Sequence, residues 1–272
     1  MVFAGGLVMS RIKRNNSNGK TAQSHHVNPR PAKPFLTAEW RHLVILNYET
    51  DLRALAPHVP AGTELDTWDG RTLISVVGFL FRDTRVWGVP FPFHRDFEEV
   101  NLRFYVRRKG PEGWRRGVVF LKEIVPKPII AFLARRLYHE PYVALPMSHR
   151  FEMESECGQL RALEYAWRFA GRDQRLCATV RGPATALREG TEAEFITEHY
   201  WGYNRQPDGA TLEYRVEHPR WSVYDVTEAR LECDAGPLYG EAFRDCLSAP
   251  PRSAFVAEGS PVTVYCGHRL VD

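Results

Sequence analysis

Residues 97–106 read FEEVNLRFYV, and polar and apolar side chains alternate from residue 99 to residue 106. Successive side chains of a β-strand point to opposite faces, so this alternation predicts a strand with one polar and one apolar face. The polar face carries Glu99, Asn101, Arg103 and Tyr105, and the apolar face carries Val100, Leu102, Phe104 and Val106. We therefore expect the apolar face to pack into a core.

Short runs rich in β-branched and aromatic residues continue on both sides of this strand, separated by Gly, Pro and Asp. Such runs are typical of strands joined by turns. Asp69-Gly70 predicts a hairpin between residues 64–68 and residues 72–81. Helical spacing is confined to short segments such as residues 128–138. Without β-α-β alternation, the pattern favours an α+β fold built on a large, mostly antiparallel sheet.

The chain divides into a tail and one domain. Residues 1–34 hold little apolar surface to bury and include three prolines, which predicts a disordered N-terminal tail. The strand-and-turn pattern runs through residues 35–272 without a linker, which predicts a single domain. The apolar start is followed by basic residues rather than preceded by them, so no export signal is expected. Translation from Met1 and translation from Met9 both remain open.

Composition argues against several classes of protein. The net charge of +3 is too small to suggest a nucleic-acid partner, and no apolar run reaches the roughly 18 residues of a membrane span. The five cysteines are odd in number and widely spaced, without a C-x-x-C motif. We expect free thiols in the cytoplasm, and neither a metal site nor a cofactor. A homo-oligomer remains possible.

Four motifs together resemble the YqjF-like family of uncharacterised bacterial proteins. They are FEEVNLRFYV (97–106), RGVVFLKEIVP (116–126), LYHEPY (137–142) followed by LPM (145–147), and HPRW (218–221). The resemblance covers about residues 35–266, and that family is similar in fold to acetoacetate decarboxylase. It implies an acetoacetate-decarboxylase-like fold, a double-layered, cone-like β-barrel with a few short helices outside and a pocket within. It implies no established activity.

The resemblance breaks at the catalytic position. Acetoacetate decarboxylase forms a Schiff base through a lysine in the pattern Gly-Arg-Glu, three residues, Pro-Lys-Lys. In the nearest segment here, Arg135 matches the arginine and Pro141 the proline, while Tyr142 and Val143 stand where the two lysines are expected. Because a phenol cannot form an imine, the decarboxylase mechanism does not transfer. Whether the chain is an enzyme therefore stays open.

Lys122 is the best remaining candidate for an imine-forming amine. The chain has six lysines against thirty arginines, and the other five lie in the tail, in a turn or at a helix start: Lys13, Lys20, Lys33, Lys109 and Lys127. Strict alternation along residues 117–125 places Lys122 on one face with Val118, Phe120 and Ile124, but the other face is equally apolar. Lys122 is thus either a catalytic amine or a lysine paired with a carboxylate at the sheet edge.

The polar row of residues 97–106 supplies the other candidates. The resemblance implies a pocket glutamate near Glu98 or Glu99, which makes Glu99 a candidate catalytic residue beside Lys122. An arginine can hold a carboxylate through two hydrogen bonds. The candidate substrate-binding residues are Asn101, Arg103, Tyr105, Arg135 and Tyr142. The same row fits the solvated face of an ordinary amphipathic strand, and both interpretations remain open.

Three functions are compatible with these observations. The first is binding of a small organic or keto acid in an internal pocket. The second is a Schiff-base-forming lyase or decarboxylase-like enzyme that uses Lys122, assisted by Glu99 or Glu123. The third is a structural protein whose barrel is filled by its own 33 aromatic side chains (15 Phe, 11 Tyr and 7 Trp).

Overall fold

A computed structural model describes residues 33–154 and 158–270, and strands dominate them. The strands are β1 (Pro34–Glu49), β2 (Glu64–Leu65), β3 (Leu73–Val86), β4 (Val89–Pro90), β5 (Phe97–Gly110), β6 (Gly113–Val125), β7 (Tyr142–Ala144), β8 (Met147–Met153), β9 (Leu160–Phe169), β10 (Arg172–Ala186), β11 (Trp201–Arg205), β12 (Thr211–Glu217), β13 (Ser222–Glu232), β14 (Ser253–Tyr265) and β15 (His268–Arg269). The predicted tail covers residues 1–34, and its residues 1–32 lie outside the described residues. Residue 34 already belongs to β1.

The helices are short. They are α1 (Leu52–Leu55), α2 (Pro128–Leu137), α3 (Glu192–Thr197), α4 (Ala235–Tyr239) and α5 (Arg244–Ser248), with 3-10 turns at Ala56–His58 and Glu241–Phe243. The helix predicted over residues 128–138 is α2, and its proline at the first position costs no hydrogen bond. Across the residues that the structure describes, no helix has the length and apolar character needed to cross a membrane.

Seven strands close into a ring. The hydrogen-bonded order is β1, β3, β5, β6, β11, β12 and β14, and β14 pairs with β1 to complete the circuit. The pairing of β6 with β11 is parallel, as is the addition of β7 to β6, and the other pairings of the ring are antiparallel. The prediction of a large, mostly antiparallel sheet is confirmed.

A second layer covers part of this ring. Beyond β14 the sheet continues through β13, β10, β9 and β8. Gly78 of β3 lies so close to this layer that a Cβ atom there would be 2.8 Å from both Tyr165 of β9 and Leu176 of β10. One apolar cluster, including Leu102, Tyr165 and Leu176, fills the space between the layers, and a second, including Val77 and Phe79, lies inside the ring. The arrangement of two layers agrees with the prediction.

The alternation of FEEVNLRFYV is realised in β5, with both faces buried. Val100, Leu102 and Phe104 are fully buried between the layers, whereas Glu99 and Asn101 are each 2% exposed on the inner side of the ring. The interpretation of the polar row as a solvated face is therefore wrong, because the closed ring covers that face.

The predicted hairpin at Asp69-Gly70 is correct in its turn but wrong in its pairing. Both residues have positive φ, and Trp68 pairs with Arg71 across the turn. However, β2 pairs with β5, not with β3. The reason is that β3 begins only at Leu73, so the end of β5 extends beyond it and offers a free edge to β2.

Candidate active site

The inside of the ring holds a cavity of about 390 Å³. Its walls are mainly aromatic and aliphatic, with contributions from the ring strands, α2 and α3. Two lining residues, Trp87 and Leu133, are also exposed, so the cavity reaches the surface where α2 lies near the turn after β3. Against these apolar walls stand a few polar side chains: Glu99, Asn101, Arg103, Glu123, Glu140, Tyr142, His199 and Tyr214.

Glu99 is held by two hydrogen bonds inside the cavity wall. The Asn101 amide donates to Oε1 at 3.0 Å, and the Tyr142 hydroxyl donates to Oε2 at 2.9 Å. Burial raises the pKa of Glu99 to about 7, although both hydrogen bonds and the nearby Arg103 guanidinium favour the ionised form. Glu99 can therefore gain or lose a proton near neutral pH.

Two further carboxyl groups line the same cavity. The register places Asn101 of β5, Glu123 of β6 and Tyr142 of β7 side by side across three strands. Glu140 precedes Tyr142 by two residues and accepts a hydrogen bond of 3.1 Å from the Tyr214 hydroxyl. Burial and the neighbouring carboxyl groups raise the pKa of Glu123 well above its usual range. Burial, together with Glu99, raises the pKa of Glu140 to about 8.

Arg103 is the cation of this wall. Among the described residues its guanidinium forms neither an ion pair nor a hydrogen bond, and its Nε atom is buried. Its Cζ atom lies 5.8 Å from the ring centroid of Tyr105. Arg103 is partly buried, and a guanidinium whose buried Nε lacks a hydrogen bond is unfavourable; its chemistry is suited to a ligand carboxylate.

Other polar atoms of the wall also lack partners. Buried side-chain atoms without a hydrogen bond include Trp40 Nε1, Thr84 Oγ1, Asn101 Oδ1, Glu123 Oε2 and His199 Nδ1, all from residues that line the cavity. Buried polar groups in proteins are normally satisfied, so a concentration of exceptions calls for an explanation. A polar ligand in the cavity would supply such partners.

Tyr105 shares a face with Glu99 but does not line the cavity. Its hydroxyl lies 2.5 Å from Ser75 Oγ, which donates to Asn47 at 2.6 Å. Its ring packs against His199 at 4.7 Å between centroids. Tyr105 thus belongs to a buried polar network behind the wall, and the structure separates it from the other members of the row.

His199 connects the wall to a buried ion pair. Its Nε2 lies 3.3 Å from Asp66 Oδ2, which also accepts a 2.7 Å hydrogen bond from Arg116. Burial lowers the pKa of His199 to about 4, despite the hydrogen bond to Asp66. Burial alone would raise the pKa of Asp66, but the hydrogen bonds from His199 and Arg116 outweigh it and lower that pKa. His199 is consequently neutral at neutral pH.

Lys122 lies on the opposite face of the sheet from the cavity. A β-bulge interrupts the pairing of β6 with β5, because Lys122 is opposite Leu102 while Phe120 is opposite Arg103. The extra residue reverses the alternation, so Phe120 and Glu123 line the cavity, whereas Lys122 does not and pairs with Leu102, a member of the cluster between the layers. The predicted face for Lys122 is therefore corrected. Among the described residues it also forms no ion pair with a carboxylate.

Tyr142 and Val143, which stand where the resemblance places two lysines, point to opposite faces of the sheet. Tyr142 lines the cavity, whereas Val143 packs on the cluster between the layers. Arg135 is exposed on α2, where its Nε donates to the Ala131 carbonyl of the same helix at 3.2 Å, and it does not line the cavity. The structure thus brings Glu99, Asn101, Arg103 and Tyr142 together, and it leaves out Lys122, Tyr105 and Arg135.

Sequence reasoning missed Glu140, His199 and Tyr214. Glu140 follows His139, which has a φ of 56°, in the turn that leads into β7, where no periodic pattern marks a buried residue. The described residues contain no group of three or more His, Cys, Asp or Glu side chains that could hold a metal ion. The chemistry of the site is therefore set by carboxyl groups, phenols and one unpaired guanidinium.

The fold is shared with acetoacetate-decarboxylase-like proteins. An acetoacetate decarboxylase-like enzyme from Sphingomonas wittichii RW1 superposes with a TM-score of 0.61 over 87% of this chain and 93% of that chain, at 16% identity. The enduracididine biosynthesis enzyme MppR, in complex with pyruvate, superposes with a TM-score of 0.60 over 93% and 95% of the two chains, at 13% identity. At these identities the likeness shows the fold alone.

Within that fold the chain belongs to the family DUF2071, described as an uncharacterised conserved protein, whose model matches residues 37–261. A curated relative is the uncharacterised protein YqjF of Bacillus subtilis (strain 168), which is 32% identical over 104 residues. That match spans 38% of this chain and 41% of the relative, less than half of its length. The predicted membership of the YqjF-like family is confirmed.

Proposed function

We propose that this protein binds a small organic acid, of the keto-acid class, in the internal cavity. The observation that carries the proposal is the unpartnered Arg103 guanidinium in a cavity wall that is otherwise mostly apolar. A ligand carboxylate would neutralise it, and charge-assisted hydrogen bonds to a guanidinium are among the strongest in proteins. The apolar walls would take up the remainder of the ligand.

The comparison with MppR supports the keto-acid class. That protein has been solved with pyruvate, and this chain shares its fold. The cavity volume of about 390 Å³ also argues against a structural protein whose interior is filled by its own aromatic side chains. The Schiff-base alternative loses support because, among the described residues, no lysine lines the cavity.

The proposal is tested by titrating the protein with pyruvate, 2-ketobutyrate and acetoacetate, and with neutral analogues such as methyl pyruvate and acetone, in a calorimeter. We expect the acids to bind and the neutral analogues to bind at least about tenfold more weakly. Arg103→Met should weaken acid binding by about 10- to 100-fold, since hydrogen bonds to charged groups contribute about 1.5–3 kcal/mol. Equal binding of acids and neutral analogues would overturn the proposal.

Arg181→Met is the matched control. Arg181 is exposed on β10 and pairs with Asp225 at 2.7 Å, and it does not line the cavity. The control removes the same charge and leaves the wall unchanged, so acid affinity should stay within about twofold of that of the unmodified protein. Loss of affinity in both variants would show that net charge, rather than Arg103, attracts the ligand.

A cytoplasmic location remains part of the proposal and fits the free thiols of Cys177, Cys233, Cys246 and Cys266.

A further inference from the structure

The cavity wall contains more carboxyl groups than ligand binding alone requires. Glu99, Glu123 and Glu140 are all buried, with exposed fractions of 2%, 3% and 7%. All three line the cavity, and Arg103 is the one unpaired cation among the lining residues that the structure describes. Three carboxylates beside one guanidinium in a low-dielectric cavity cannot all be ionised, so the wall retains protons at neutral pH.

Hydrogen bonding distinguishes the three groups. Glu99 accepts one hydrogen bond on each oxygen, from Asn101 and Tyr142, and it is the carboxyl group that Arg103 stabilises in its ionised form. Glu123 has a buried Oε2 without a partner, and burial together with Glu140 and Glu99 outweighs the effect of the nearby Tyr142 hydroxyl, which favours its ionised form. Hydrogen-bond donors favour a carboxylate and neighbouring carboxyl groups favour a carboxylic acid. Glu99 therefore suits the role of base, and Glu123 suits the role of acid.

We propose that this wall catalyses keto–enol proton exchange on the bound keto acid, with Glu99 as the base and the Glu123 carboxylic acid as the proton donor. This inference rests on the proposed function, because Arg103 must first hold the carboxylate of the keto acid. Glu99 removes a proton from the carbon next to the ketone, and the electron pair of that C–H bond forms the C=C bond of the enol. The π bond of the ketone C=O breaks at the same time, and its electron pair moves to the oxygen, which takes the proton of Glu123. Glu99 leaves the step protonated and Glu123 leaves it ionised.

The step needs neither an imine nor a redox partner. Acetoacetate decarboxylase relies on a lysine, whereas the cavity wall described here offers Tyr142 at one of the matching positions. A general acid and a general base each contribute about 10²- to 10⁴-fold to such proton transfers. Two carboxyl groups in different environments are a recurrent arrangement for this chemistry.

The test is the exchange of the methyl protons of pyruvate in heavy water, followed by proton NMR. The unmodified protein should accelerate deuterium incorporation at least about 100-fold over buffer. Glu99→Gln is nearly isosteric and should lower that rate by about 100-fold or more while calorimetry still detects pyruvate binding. Glu123→Gln should lower the rate as well, since its amide cannot donate a comparably acidic proton.

Glu98→Gln is the matched control. Glu98 is the adjacent residue of β5 but points away from the cavity, and its Oε1 lies 2.7 Å from His149 Nδ1. This variant should exchange pyruvate at the rate of the unmodified protein. Binding of pyruvate without accelerated exchange in the unmodified protein overturns the inference and leaves the proposed function standing. Exchange at full rate in Glu99→Gln also overturns it, whereas absence of binding by every keto acid overturns both.

Discussion

The Tyr142 hydroxyl donates a 2.9 Å hydrogen bond to Glu99 Oε2 in the cavity wall. Tyr142 stands where the resemblance to acetoacetate decarboxylase places a lysine, so a phenol that holds a carboxylate replaces an amine. The side chain cannot form an imine, but it favours the ionised form of Glu99 against the effect of burial. At this place the cavity wall therefore carries a phenol beside a carboxyl group, and no amine.

The first prediction concerns this hydrogen bond. Tyr142→Phe removes the donor, so the pKa of Glu99 should rise further, by on the order of one unit. The groups that face Glu99 are Arg103, Asn101, Tyr142 and the carboxyl groups of Glu123 and Glu140. Because ionised Glu99 repels an anionic ligand, pyruvate affinity should fall as the pH rises through that pKa. Calorimetry between pH 6 and pH 9 should show a higher midpoint in Tyr142→Phe.

Tyr224→Phe provides the comparison for that experiment. The Tyr224 hydroxyl also donates to a glutamate, Glu258, at 3.2 Å, but the pair is exposed and does not line the cavity. Its midpoint should match that of the unmodified protein. A midpoint in Tyr142→Phe that is unchanged or lower would contradict the role of the hydrogen bond.

The second prediction concerns Lys122. Since the bulge in β6 turns it away from the cavity, Lys122→Met should leave pyruvate affinity within about twofold. Borohydride reduction of the unmodified protein with pyruvate should leave the mass of Lys122 peptides unchanged. Lys109→Met, near the end of β5, controls for the loss of one positive charge. A reduced adduct on Lys122 would reinstate the Schiff-base mechanism.

The sequence predicts those parts of the site that depend on neighbouring residues of one strand. It does not predict the parts that depend on pairing between distant segments. The alternation of residues 97–106 is a local property, and it correctly predicts that Glu99, Asn101 and Arg103 share a face. The bulge at Lys122 has no local sign, because both faces of β6 are apolar and strict alternation gives an equally acceptable pattern. One inserted residue exchanges the faces of Lys122 and Glu123.

Long-range pairing accounts for the rest. Tyr142 reaches the cavity because β7 adds in parallel to β6, and Tyr214 because β12 closes the ring with β14. Neither event follows from residue spacing, since each joins segments far apart in the sequence. The resemblance predicts the ring and its pocket, but it places Arg135 at the site, whereas the structure leaves that side chain on the exposed part of α2.

The third prediction concerns pH and stability. The pKa of Glu140 is raised to about 8 in the folded protein, against 4.5 for an unperturbed glutamate, so the folded state holds a proton that the unfolded state has lost. The free energy of unfolding should therefore fall as the pH rises from 4.5 to 8. His199, with its lowered pKa, acts in the opposite direction, and its effect is confined to pH values below 6.5. The window from pH 6.5 to pH 8 isolates the carboxyl groups.

Glu140→Gln should reduce the loss of stability across that window by about 1–2 kcal/mol, because one proton over this pH range contributes no more than that. The Tyr214 hydroxyl can still donate to the remaining amide oxygen, so the hydrogen bond is kept. Urea unfolding at pH 6.5 and at pH 8 measures the difference. Glu189→Gln, at a strongly exposed carboxylate, should keep the pH dependence of the unmodified protein. If the free energy of unfolding of Glu140→Gln fell with pH as steeply as that of the unmodified protein, the proton retained in the folded state would not be on Glu140.

The fourth prediction compares alanine substitutions at two strand glycines, Gly202 and Gly78. It distinguishes effects on packing from effects on the cavity. A Cβ atom at Gly202 would overlap the Tyr214 ring, its partner across β11 and β12, while one at Gly78 would meet Tyr165 and Leu176 between the layers. Both alanine variants should be less stable by about 1–3 kcal/mol, the usual effect of overpacking.

Their effects on the cavity should differ. Gly202→Ala displaces the Tyr214 phenol, which donates a hydrogen bond to Glu140 in the cavity wall, so it should also lower pyruvate affinity. It should raise the pKa of Glu140 as well, because that hydrogen bond favours the ionised form. Gly78→Ala strains only the packing between β3 and the outer layer, so affinity should stay within about threefold at temperatures where the variant is folded. Urea unfolding and calorimetric titration of the two variants give both quantities. Equal losses of pyruvate affinity in the two variants would show that strain at either position disturbs the cavity to the same extent. Tyr214 would then have no separate role in the wall.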